Sequence, residues 1–154
     1  MSVATPWRRA GVVASLVLLV DQISKALVSS SIALGASRSL LPGVTIVHAE
    51  NSGVAFSLFT GSEVAVVMVT IVIVAAVLAF FARHRHRRLI WLASGLIIGG
   101  ALGNLVDRIR TGAVTDFIQL PHWPAFNFAD TSITLGVLAL LAILGRGGVA
   151  ARPA

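Results

Sequence analysis

Long apolar runs broken by short polar segments dominate the chain, and they recur at residues 10–28, 64–82, 89–106 and 127–145. A helix needs about 20 residues to cross the hydrocarbon core of a bilayer. The first three runs meet that length. The fourth is apolar from Thr131 to Gly145 and reaches it only if its helix starts near Asn127. The pattern therefore predicts an all-α integral membrane protein of four transmembrane helices, built as one unit over residues 1–154. The only sizeable connection, residues 29–62, follows the first span. In it Pro42 and Gly43 make a turn, and the β-prone run 44–47 can pair with 38–41 in a small sheet. Further along, Asn51-Ser-Gly53-Val-Ala-Phe56-Ser-Leu58-Phe59 combines a glycine that permits a bend with large apolar residues suited to a membrane interface. After the third span, residues 113–117 read as extended, and Pro121 and Pro124 rule out a regular helix before Asn127.

Within the spans, polar residues are few and placed in patterns. Span two has none that is charged and reads as scaffold. Span one carries Asp21 and Lys25, four residues apart and so on one helix face, in the favourable acid-first order. Unpaired at membrane depth, the two would cost roughly 5–7 kcal/mol, which requires a partner or polar surroundings. A structural ion pair that marks the outer end of the helix accounts for them better than a direct part in chemistry. In span three Gly95, Gly99 and Gly103 form a stripe that admits another helix closely, and Asp107 continues it. Gly100, Asn104 and Arg108 form the adjacent stripe, placing an amide and a guanidinium one turn apart.

Composition and charge fit a membrane protein: 56% of residues are hydrophobic and 12% charged, against about 25% charged in a soluble domain. The net charge of +6 would suit nucleic acid, but its placement argues against that partner. Arg8 and Arg9 precede span one, Arg83, Arg85, Arg87 and Arg88 fill the turn after span two, and Arg146 and Arg152 follow span four. Eight of the twelve basic residues thus lie at one side of the membrane, which puts both termini in the cytoplasm by the positive-inside rule. The internal Asp21 and Lys25, and an apolar run longer than a signal core, favour a retained first helix over a cleaved leader. The absence of cysteine excludes disulfides and thiol nucleophiles.

The stretch 99–130, GGALGNLVDRIRTGAVTDFIQLPHWPAFNFAD, concentrates the remaining polar chemistry. Asp130 precedes Thr131, so it reads either as the N-cap of span four or as a reactive carboxylate. Asp116 lies fourteen residues earlier, on a connection long enough to double back. Two carboxylates sharing a site cannot both ionise cheaply; one keeps a proton, and the pair can act as base and acid together. Other chemistries fit poorly. His84 and His86 sit in the arginine loop and His48 and His122 stand alone, so no zinc motif forms. Ser24 adjoins Lys25 but points elsewhere on the helix. No metal or other cofactor is called for.

Five motifs in order, Asp21-Gln-Ile-Ser-Lys25, Asn51-Ser-Gly53-Val-Ala-Phe56-Ser, Gly99-Gly-Ala-Leu-Gly-Asn104-Leu-Val-Asp107-Arg108, Gly112-Ala-Val-Thr-Asp116-Phe117 and Phe126-Asn127-Phe-Ala-Asp130, resemble the lipoprotein signal peptidases, or signal peptidase II. Thr115 and Thr131 depart mildly from the usual valine and serine. The resemblance implies a membrane aspartic endopeptidase that cleaves prolipoproteins N-terminal to a diacylglyceryl-modified cysteine. It implies a catalytic pair of Asp116 and Asp130, a substrate pocket lined by Asn51, Asn104, Arg108 and Asn127, and supporting roles for Asp21, Lys25, Gly53 and Asp107. It further implies a small extracytoplasmic β-cradle and a short interfacial helix within 29–62, and a multi-pass protein of the bacterial cytoplasmic (inner) membrane whose active site faces outward. Its partners would be lipidated prolipoproteins, membrane lipids and peptide antibiotics that inhibit the family; a monomer suffices. Phe56 and Phe59 are placed to close over substrate, so their replacement by alanine is expected to raise the apparent KM. Two rivals use the same residues: a small transporter or proton relay, which needs acids spread through the bilayer, and a lipid-binding assembly factor without catalysis.

Overall fold

The computed structural model describes residues 4–52 and 63–149. Four helices, α1 (Ala4–Ser31), α2 (Glu63–His84), α3 (Ile90–Thr111) and α4 (Phe128–Val149), are each long and apolar enough to cross a membrane. Three strands, β1 (Ser37–Leu41), β2 (Val44–Asn51) and β3 (Val114–Gln119), form an antiparallel sheet in that order. Helix α3 is the axis of the bundle, packed against α1, α4 and α2. Most large side chains of α2 face outward, as suits a helix surrounded by lipid.

The two stripes of α3 separate its neighbours. Gly95, Gly99 and Gly103 face α1, meeting Val13, Ala14, Val17 and Asp21, whereas Gly100 faces Ala129 and Ile133 of α4. A Cβ on Gly100 would stand 2.5 Å from the Ala129 carbonyl oxygen and one on Gly103 2.5 Å from Asp21 Oδ2. Hydrogen at these positions is what lets the helices close on the polar residues between them. Gly100→Ala must push back the first turn of α4, and is expected to lower stability by about 1–3 kcal/mol. Thermal unfolding in detergent checks this; an unchanged midpoint would refute the close contact.

Near the opposite ends of α1, α2 and α3, Ala10, Phe81 and Ile90 form an apolar cluster with Phe80, Trp91, Leu140 and Ile143. The basic residues Arg8, Arg9 and Arg83–Arg88 gather there, while the sheet sits at the other end.

Several elements differ from the sequence expectation. Helix α1 runs to Ser31, so Asp21 and Lys25 lie well inside it and not at its end. Ser29 Oγ donates to the Lys25 carbonyl at 2.9 Å and Ser30 Oγ to that of Leu27 at 3.0 Å. These local bonds satisfy the serine hydroxyls within the helix, so its polar last turn needs no partner from elsewhere. Helix α3 likewise continues past 106 to Thr111, ending where Gly112, at φ 80°, donates its N–H to the Arg108 carbonyl. The sheet is not confined to the 29–62 connection: its third strand comes from between α3 and α4. Gly53, Phe56, Leu58 and Phe59, and with them the expected interfacial helix, lie outside the described residues.

Candidate active site

The site is built around Lys25. Its ammonium group lies 2.8 Å from Asp21 Oδ2 and 2.7 Å from Asp107 Oδ2, and donates to Asn104 Oδ1 at 2.9 Å. A lysine has three N–H bonds to give, and all three are taken. Asp21 is fully buried, and its other oxygen accepts the backbone N–H of Ala129 at 2.9 Å. One carboxylate thereby neutralises a lysine and also receives an otherwise unpaired donor at the start of α4. Gln22 completes the cluster, donating to Asp107 Oδ1 at 2.9 Å and to the Gly103 carbonyl at 3.2 Å.

Asn127 joins this cluster to Asp116 and Asp130. Its side-chain amide donates to Asp116 Oδ1 at 2.7 Å and to Asn104 Oδ1 at 3.2 Å. Its side-chain oxygen Oδ1 accepts the Asp130 backbone N–H at 2.9 Å, and its own backbone N–H donates to Asp130 Oδ2 at 3.2 Å. This reciprocal pair is a capping box, with Asn127 as N-cap and Asp130 at the third helical position. Of the two readings of Asp130, the one that made it the N-cap is therefore corrected. Asn127 precedes the first helical residue, and the Asp130 carboxylate reaches back to it. Asn104 Nδ2 donates to the second oxygen of Asp130 at 2.8 Å.

Asp116 comes to Asn127 because the chain folds back on itself. Phe126 bonds through its backbone to Phe117 and Ile118 at 2.8–3.0 Å, closing a loop that holds Pro121 and Pro124. Strand β2 supplies the remaining partner: Ala49 pairs with Asp116 and Asn51 with Val114, so Asn51 is a diagonal neighbour of Asp116. Asn51 Nδ2 donates to Asp116 Oδ2 at 3.0 Å.

Asp116, Asn127 and Asn104 are buried, Asp130 and Arg108 half-buried, and Asn51 exposed. Burial pushes the Asp116 carboxyl up from its ordinary value. The bond from Asn51 opposes that shift, the charge of Asp130 adds to it, and the Asn127 bond and the Lys25 charge draw it down. Arg108 Nη1 donates to the Asn104 carbonyl at 3.2 Å, while its buried Nε has no hydrogen-bond partner among the described residues. Its guanidinium lies within the electrostatic reach of Asp130, Asp116 and Asp107.

Of the residues singled out in the sequence, Asp21, Lys25, Asn51, Asn104, Asp107, Asp116, Asn127 and Asp130 thus form one connected network, with Arg108 beside it; Gly53 is outside the described residues. Sequence reasoning missed Gln22. Its position next to Asp21 was the available signal, but a glutamine beside an acid carries no weight until α3 is known to pack there.

A family model described as Signal peptidase (SPase) II matches residues 13–145. The chain is 36% identical over 134 residues to a lipoprotein signal peptidase of Halothermothrix orenii, a match covering 86% of this chain and 92% of that protein. It is 40% identical over 131 residues to one of Pelotomaculum thermopropionicum, covering 84% and 86%. Two solved structures, each described as a bacterial membrane enzyme determined by the in meso method, superpose with TM-scores of 0.83 and 0.85 at 31% and 28% identity. The first covers 92% of this chain and 93% of the solved one, the second 99% and 94%.

Proposed function

The chain belongs to the signal peptidase II family, as a bacterial multi-pass membrane peptidase that removes signal peptides from prolipoproteins, and from that premise we propose an aspartic mechanism carried by Asp116 and Asp130. The observation that carries the proposal is the double engagement of Asn127, which holds one carboxylate by its side chain and the other by its backbone. Asp116, the more buried, holds the proton; Asp130, half-buried and receiving N–H bonds from Asn104 and Asn127, is the base.

Asp130 takes a proton from water as the water oxygen bonds to the scissile carbonyl carbon, and Asp116 gives its proton to the carbonyl oxygen. The C–N bond then breaks as Asp130 passes its proton to the leaving nitrogen, and a hydroxyl proton of the collapsing intermediate returns to Asp116. The products are a free carboxyl on the signal peptide and a free amine on the lipidated cysteine. Asn104 and Asn127 spend their donors on the carboxylates and act by positioning them. Arg108, half-buried beside both carboxylates, and Asn51, at the exposed rim, meet the substrate backbone. The site lies at the sheet end of the bundle, at the far end of the helices from Arg8, Arg9 and Arg83–Arg88. The positive-inside rule assigns that end to the outer face, where the cleavage point of a signal helix and the acyl chains on its cysteine both lie.

Purified protein mixed with a diacylglyceryl-modified precursor peptide should yield a single new N-terminus at the modified cysteine, read by mass spectrometry. Cleavage elsewhere, or equal cleavage of the unmodified peptide, would sink the assignment. The proton placement has its own test. Removing the Asn51 bond takes away a contact that favours the charged form of Asp116, so Asn51→Ala raises that group further. The alkaline limb of the kcat/KM profile, where Asp116 loses its proton, should move to higher pH while the plateau falls. If the acid limb moved to higher pH and the alkaline limb stayed in place, Asp116 would be the base and the two roles would be exchanged.

A further inference from the structure

At the arginine end of the bundle, one face of α1 and the Trp91 ring of α3 border an open cavity of about 460 Å³ lined by Thr5, Arg8, Arg9, Val12, Val13 and Trp91. It lies at the far end of the helices from Asp116 and Asp130, and nothing in the cleavage chemistry uses it. The Arg9 guanidinium stands 5.7 Å from the centroid of the Trp91 ring, a cation–π placement that fixes it over the cavity. Arg8 and Arg9 are both exposed, and among the described residues neither has a carboxylate partner, the two ion pairs both belonging to Lys25. Below them Val12, Val13 and the Trp91 ring give an apolar floor that continues into the membrane-spanning surface, where Val12 is 52% exposed.

We infer that this cavity binds an anionic phospholipid, its phosphate held by Arg8, Arg9 and the Thr5 hydroxyl and the start of an acyl chain laid along Val12, Val13 and Trp91. Membrane topology by itself needs only the charge of the arginines. A concave site between two spans, with unpaired cations at its rim and apolar walls below, matches the chemistry of a lipid that carries both a phosphate and a hydrocarbon chain. A soluble phosphate would use the rim and leave the floor unoccupied, so the lipid is the occupant that accounts for both halves.

The test compares full-length protein in detergent with phosphatidylglycerol, phosphatidylcholine or glycerol phosphate added, reading retained lipid by native mass spectrometry and the thermal midpoint alongside. Phosphatidylglycerol should be retained over phosphatidylcholine and should raise the midpoint, and glycerol phosphate should do neither. The double change Arg8→Gln, Arg9→Gln should reduce that preference on the order of tenfold. The equal-charge control Arg87→Gln, Arg88→Gln should leave it nearly intact. Val12→Trp, which keeps both arginines and fills the cavity from its lipid-facing side, should also abolish retention, and cleavage of the lipidated peptide should persist in all three as proof of folding. Equal losses in the two arginine pairs would reduce the effect to general surface charge. A midpoint raised as much by glycerol phosphate as by the lipid, or retention unchanged in Val12→Trp, would overturn the assignment.

Discussion

Asp116→Asn and Asp130→Asn should each lower the rate of precursor cleavage by at least about 10³-fold, the upper range for a lost acid or base. An asparagine at 116 cannot give a proton to the carbonyl oxygen, and one at 130 cannot take a proton from water. Neither change removes much packing volume. At 116 the new amide can turn its oxygen toward Asn127 but must then set its NH₂ against the Asn51 donor, which costs about 1–3 kcal/mol if it stays unsatisfied. At 130 the amide oxygen can keep only one of the N–H bonds from Asn104 and Asn127. Both variants should therefore fold with lowered midpoints. Because the two groups act on one reaction as a unit, the double variant should be scarcely slower than either single one. A double variant slower by the product of the two losses would mean that the groups act in separate steps. Appreciable activity in either folded single variant would end the aspartic proposal.

The features legible in the sequence are those that the membrane and the helix impose. Lipid demands long apolar helices, so four spans follow from hydropathy, and a 3.6-residue period places Gly100, Asn104 and Arg108 on one face whatever packs against it. The separation of the two α3 stripes between α1 and α4 also agrees with that period. The return of the chain from Asp116 to Asn127 was allowed by the length of the connection but not required by it. It rests on backbone bonds among Phe117, Ile118 and Phe126, which leave no mark on side-chain identity. The third strand was missed as a member of the sheet for a related reason. Residues 113–117 look extended, but the choice of β2 as partner is made by the ends of α1 and α3 coming together. Asn127 was visible as a polar residue before a helix, and the Asn-x-x-Asp spacing to Asp130 was a capping signal that could have been read.

Lys25→Met should be the most destabilising single change in the polar cluster, by about 3–5 kcal/mol, the usual cost of stripping one partner from a buried ion pair. It leaves Asp21, fully buried, and Asp107, 8% exposed, as like charges on facing helices with no cation between them. The triple variant Asp21→Asn, Lys25→Met, Asp107→Asn removes the charges together. An asparagine at 21 still accepts the Ala129 N–H, and one at 107 still accepts from Gln22, so most of the lost stability should return. Activity should not return with it. Lys25 also holds Asn104 Oδ1, and Asn104 in turn holds Asp130 through its other end. Without the ammonium group, the Asn104 amide loses the charged one of the three bonds that fix its orientation, keeping only those with Asn127 and Asp130. Asp130 then loses the alignment needed to draw a proton from water at the scissile carbon. Thermal midpoints in detergent and cleavage rates at saturating peptide separate the two effects: stability should track the charge balance, and kcat the presence of Lys25. If kcat recovered in the triple variant, Lys25 would be a counter-ion only; if Lys25→Met unfolded no more easily than the natural chain, the buried network would not be what binds α1 to α3 and α4.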